Sequence, residues 1–85
     1  MNKAEITIKD LDEIRSKIII QIDTLTLEDD ALRNHRDEAR DPYDRNQTEH
    51  VIHNLNEAMD ALDEAIEQIK MAQNAVRCAG KHGWT

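Results

Sequence analysis

Ile52, Leu55, Met59, Leu62, Ile66, Ile69, Gln73 and Val76 recur at alternating spacings of three and four residues. A sustained seven-residue repeat keeps one seam of a helix against a partner helix, so it restricts this chain to helix-on-helix packing. Gln73 is its one polar member. Ala58, Ala65, Ala72 and Ala79 run beside the seam, one every seven residues, and let another helix come close. The stretch from residue 46 to 79 therefore reads as the central helix of an all-α protein.

The rest of the chain supplies a partner of matching length. Thr7 is a helix N-cap candidate with Asp10 three residues on, and Ile6 and Leu11 stand at the staple positions around it. This predicts a first helix over about 8–40. Its inward stripe is Leu11, Ile14, Ile18, Ile22, Leu25, Leu32 and Ala39. A second apolar line, Ile20, Leu27 and Ala31 with Thr24 between, falls on nearly the opposite side and implies a second packing surface. Two readings of residues 24–29 stand: one continuous helix, or a kink or break with Thr26 and Asp29 capping a new segment.

Residues 40–46 form the strong breaker. Pro42 disfavours helical geometry at Asp41, and Asp41, Asp44 and Asn46 are all cap candidates for the next helix, over about 47–79. Gly80 is placed as the residue just past its end, followed by a short tail, 80–85. Folding the two helices back about residues 43–44 pairs Leu11 with Val76, Ile18 with Ile69, Leu25 with Leu62 and Leu32 with Leu55. The expected architecture is one domain, a long antiparallel helical hairpin. Because a lone hairpin of 85 residues buries little, two copies are expected to dimerise into a four-helix bundle through Ile20, Leu27 and Ala31.

Composition agrees. There is no Phe, one Tyr and one Trp, so the core must be aliphatic, and two Gly with one Pro leave few tight turns for a sheet. Net charge is -7. General binding to nucleic-acid phosphates needs a basic surface, so a protein partner with a basic surface is expected, and no direct nucleic-acid contact. The lone Cys78 excludes an internal disulfide framework and fits a reducing compartment. Charges throughout residues 1–20 leave no secretory signal, and no apolar run is long enough to span a membrane. A soluble, cytoplasmic protein is expected.

The most pointed functional pattern lies on the outer face of the second helix. His50, His53, Glu57, Asp60, Glu64 and Glu67 share one stripe opposite the seam, and residues 46–69 contain six acids and no Lys or Arg. Carboxylates three and four residues apart sit about 5–6 Å from one another and repel mildly. The functional reading of Glu57, Asp60, Glu64 and Glu67 is an anionic strip that docks on a basic groove. The plain reading is a solvated helix face.

Other clusters point less far. His50, His53 and the nearby His35 are imidazoles of the kind zinc uses, but no Glu-x-x-His, H-E-x-x-H or cysteine pair accompanies them, so no metal or other cofactor is expected. Arg33, Arg36, Arg40 and Arg45 interleave with acids and read as local ion pairs. Tyr43 and Trp84, the only rings, are candidate anchors for a partner. No nucleophile elbow, Gly-rich phosphate loop or paired pocket acids occur, so no enzyme is expected.

The heptad-plus-alanine hairpin resembles the Rop-like two-helix proteins that dimerise into four-helix bundles. The resemblance covers both helices and concerns pattern alone, so it carries over architecture and no functional residue. Size and acidity are also similar to small inhibitors encoded by phages and mobile elements. The expected function is a non-enzymatic acidic interaction module, an inhibitor or adaptor that occludes a basic partner surface. The alternative is a structural coiled-coil or assembly subunit with no inhibitory target.

Overall fold

The computed structural model covers residues 1–85 and contains two helices, α1 (Lys3–Glu38) and α2 (Pro42–Lys81). They lie side by side, antiparallel, as a rod with Cα extents of 64 × 16 × 11 Å. No helix is long and apolar enough to cross a membrane.

Both seams are strict heptads. On α1 the inward positions are Ala4, Ile8, Leu11, Arg15, Ile18, Ile22, Leu25, Asp29, Leu32 and Arg36, continued by Ala39 at its C-cap, all buried or half-buried. Ile14, expected in this stripe, is 47% exposed. Arg15 holds the position instead. It is in phase with the four-three spacing, and its head group donates to Gln73 across the seam and to Asp12 on its own helix. On α2 the seam from Ile52 to Val76 stands as the sequence predicts.

Four side-chain contacts fix the register: Asp12 with Gln73, Thr26 with Met59, Asp29 with Asn56 and Arg36 with Glu49. The members of each pair are equidistant from residues 42–43. The expected layers fold about a point one residue further along, so the register is as expected to within a residue on each helix.

The ends differ from the sequence reading. Asn2, rather than Thr7, caps α1: its side chain accepts from the Glu5 amide at 2.8 Å. The helix is continuous through residues 24–29, where the Thr24 and Thr26 hydroxyls donate to the carbonyls of Ile20 and Ile22, one turn back. Asp29 is a buried seam residue rather than a cap. The link is only residues 39–41. Asp41 caps α2, accepting from the Tyr43 amide at 3.1 Å, and Pro42 starts the helix because its missing N–H is not needed at the first position.

At the far end α2 runs through Gly80 instead of stopping before it. At Gly80 the helices approach closely, since a Cβ there would lie 3.1 Å from that of Ala4. Gly83, at φ 102°, takes the left-handed conformation that reverses the chain. The tail folds back: the Trp84 amide donates to Ala79 O at 2.9 Å and the Lys3 amide to Thr85 O at 3.0 Å.

The core is thin. Ala4 and Ile52 are the only buried apolar residues, and the remaining apolar seam side chains are half-buried. A two-helix contact wraps each knob on one side only.

Candidate functional site

The seam phase decides where every candidate residue points. Because α2 turns its heptad inward without interruption, Glu57, Asp60, Glu64 and Glu67 face outward together, all exposed, with His50, His53 and Cys78 on the same side. The helix is unbroken from Pro42 to Lys81, so the strip runs along one continuous helix.

Its charge is only partly offset at the two ends. Glu57 lies 3.0 Å from His53 Nε2, and Glu67 accepts from Lys70 Nζ at 3.2 Å. Asp60, Asp63 and Glu64, between them, have no ion-pair partner. Three like charges within five residues leave a local negative potential that solvent alone screens.

The arginines near the turn behave differently from one another. Arg33 Nε donates to Asp29 at 2.8 Å, and Arg36 bridges the helices, donating to Glu49 at 2.6 Å and to Asp37 at 3.2 Å. The hydrogen bond to Glu49 first, and that to Asp37 second, push the Arg36 guanidinium above its ordinary value. Arg40 and Arg45 make no ion pair.

The histidines do not converge. His35 Nε2 lies 2.9 Å from Asp44 Oδ2 at the turn, His53 pairs with Glu57, and no three metal-ligating side chains come together. Tyr43 and Trp84 stand at opposite ends of the rod, both exposed. Ile20, Leu27 and Ala31 are exposed on α1, Ile20 at 60% and Leu27 at 71%.

The one concavity is an open groove of about 300 Å³ lined by Ile14, Lys17, Ile18, Ile20, Gln21 and Leu62. It holds no nucleophile and no acid–base pair.

Sequence reasoning passed over the polar ties inside the seam. Gln73 Nε2 donates to Ile8 O at 3.1 Å and Asp12 Oδ1 at 2.7 Å, while its Oε1 accepts from Arg15 Nη1 at 3.2 Å. Asn56 Nδ2 donates to Asp29 at 3.2 Å. Extending the α1 repeat by sevens through positions 15, 29 and 36 was the available signal. These ties, with Arg36–Glu49, all lie along one broad face of the hairpin.

No protein-family model, curated protein or solved structure matches the chain.

Proposed function

We propose that the protein is a non-enzymatic interaction module that docks the acidic strip of α2 on a basic surface of a protein partner, as a small inhibitor or adaptor would. The observation that carries this reading is that the strip's Asp60 and Glu64 are unpaired, with Asp63 unpaired beside them, on a continuous helix whose residues 46–69 include no Lys or Arg. A face built for solubility alone would usually mix signs. A row of carboxylates along one helix matches a groove that otherwise receives phosphates, because both present anions at fixed spacing to Lys and Arg.

The test begins with capture of the partner from the native host and its identification by mass spectrometry. Asp60→Lys with Glu64→Lys is then expected to slow association at least tenfold, with a smaller effect on dissociation, because rim charges act mainly by steering. Wild-type binding should weaken as salt rises, since exposed charges are screened over about 8–10 Å near physiological ionic strength. An unchanged rate and salt dependence, in a variant with unchanged helical content, would remove the strip from the interface.

A second reading, a structural assembly subunit, is favoured by the exposed apolar line Ile20, Leu27 and Ala31, which an acidic docking role does not use. Self-association that persists while no partner is captured would select it.

A further inference from the structure

We propose that a second copy of this chain covers one broad face of the hairpin, stacked about a two-fold axis perpendicular to the rod, with Lys17 of each copy against Glu28 of the other. The proposal stands apart from the acidic-strip reading, whose residues lie on another side of α2.

The two broad faces of the hairpin are unlike. The polar ties of Asp12, Asp29 and Arg36 with α2 run along one of them. The other carries the groove at Ile14, Ile18, Ile20 and Leu62. On that side α2 presents positions 47, 51, 54, 58, 61, 65, 68, 72, 75 and 79, which hold six alanines, Val51 and three amides. No charge interrupts this stripe over nine helical turns, although 34% of the chain is charged. An uncharged stripe continuous with an apolar groove is a face from which water is readily removed.

The occupant is identified by symmetry. On α1 the exposed row is Ile14, Lys17, Gln21, Thr24, Glu28 and Ala31. Reversing this row about the point between residues 22 and 23 sets Lys17 on Glu28, Ile14 on Ala31 and Gln21 on Thr24. Opposite charges meet, and large meets small. Reversing the α2 stripe about residue 63 sets Val51 on Ala75 and Ala61 on Ala65. The register contacts place residues 22–23 of α1 and 62–63 of α2 at the same height in the hairpin, so one axis serves both helices. A self-complementary patch centred on a single axis is what an isologous dimer requires. Two copies meeting on the outer strip of α2 would instead oppose like charges.

Area points the same way. A compact monomer of 9.8 kDa exposes about 5,200 Å², whereas the hairpin exposes 6208 Å². The excess, about 1,000 Å², is comparable with the roughly 800 Å² per partner of a stable interface. Stacking would also cover Ile18 and Leu62, which the hairpin leaves half-buried.

The native single thiol makes the test direct. Cys78 is exposed and lies fifteen residues, or about 22 Å, from the proposed axis at 1.5 Å per residue. Nitroxide on Cys78 of the full chain should give an inter-copy distance of about 45–50 Å by pulsed electron resonance, because the axis sends the two labels to opposite ends. An axis along the rod would bring them to the same end, under about 35 Å apart given helix diameters of about 10–12 Å. Sedimentation equilibrium at micromolar concentration should report twice the chain mass. Lys17→Glu and Glu28→Lys should each weaken the dimer about tenfold, and the double exchange should restore it, since only the double variant returns opposite charges to both contacts. Ala61→Arg, on an exposed position, should give a helical monomer. A monomer at 100 μM, a short label distance, a double exchange that fails to rescue, or a dimer indifferent to Ala61→Arg would each overturn the proposal.

Discussion

Gln73 occupies a position where the heptad calls for an apolar knob, yet it is 4% exposed and makes three hydrogen bonds across the hairpin. Those bonds explain why a polar residue is tolerated there: each buried donor and acceptor meets a partner. They also set the alignment, because a slide by one heptad would part Gln73 from Asp12 and Asn56 from Asp29. Arg15 is held in the same knot, with its Nε buried and unpaired, so loss of Gln73 would worsen an existing deficit. Gln73→Ala is expected to destabilise the fold by about 1–3 kcal/mol in a urea titration, the range for stranding buried polar partners. Arg15→Leu together with Gln73→Leu should recover most of that loss, because it also removes the unpaired Arg15 Nε and leaves only Asp12, an exposed carboxylate that water can satisfy, without its partners. A double variant as unstable as Gln73→Ala would show that the knot supplies stability rather than alignment. The sequence announced Gln73 but hid its partner. A scan for apolar residues prefers Ile14 to Arg15, and only the arginine's cross-helix bond to Gln73 reveals which one faces inward.

At the scale of the helix, periodicity was the legible part. The apolar heptad from Ile52 to Val76, the matching α1 stripe and the pairing of the two halves could all be read from spacing, because a seam repeats its signal many times. Ends carry one signal each and competed poorly. Thr7 and Asn46 are good cap residues in isolation, but Asn2 and Asp41 lie further out, and helical packing on the partner extends both helices to reach them. Pro42, a breaker by sequence, serves as the start of α2. The outward strip was legible because it is the complement of the seam, whereas the ties of Asp29 and Arg36 depend on side chains meeting across helices, which spacing along one helix does not encode. Burial ranks the positions along α2. Ile52 is the one large apolar residue at 4% exposure, so Ile52→Ala should cost about 2–5 kcal/mol. Asp60→Ala, on the outer strip, should change stability by no more than about 0.5 kcal/mol. Equal shifts in the urea midpoint would place the seam on the wrong face.

The whole molecule is a charged rod with little interior, and both properties set its response to salt. It carries -7 net charge along 64 Å, and the acids of α2 between residues 46 and 69 have no Lys or Arg among them. Folding brings these carboxylates to fixed spacing, so their repulsion is greater in the folded rod than in the expanded chain. Salt acts in two opposing senses. It screens the strip, which stabilises, and it screens ion pairs such as Arg33–Asp29 and Lys70–Glu67, which destabilises. The pairs are few and mostly exposed, worth about 0–1 kcal/mol each at most. The repulsion is collective and acts over distances that a Debye length of about 30 Å at 0.01 M leaves unscreened and one of about 8 Å at 0.15 M removes. The repulsive part should therefore dominate. At fixed protein concentration, raising NaCl from 0.01 to 0.15 M is expected to raise the melting temperature by a few degrees, as about 1 kcal/mol shifts a domain of this size by about 4–8 °C. Asp60→Asn with Glu64→Gln should abolish part of that rise and lift the melting temperature at low salt, with little effect at 0.15 M. A melting temperature that falls with salt in the wild-type chain would mean that the ion pairs outweigh the strip, and that its carboxylates are too well solvated to repel.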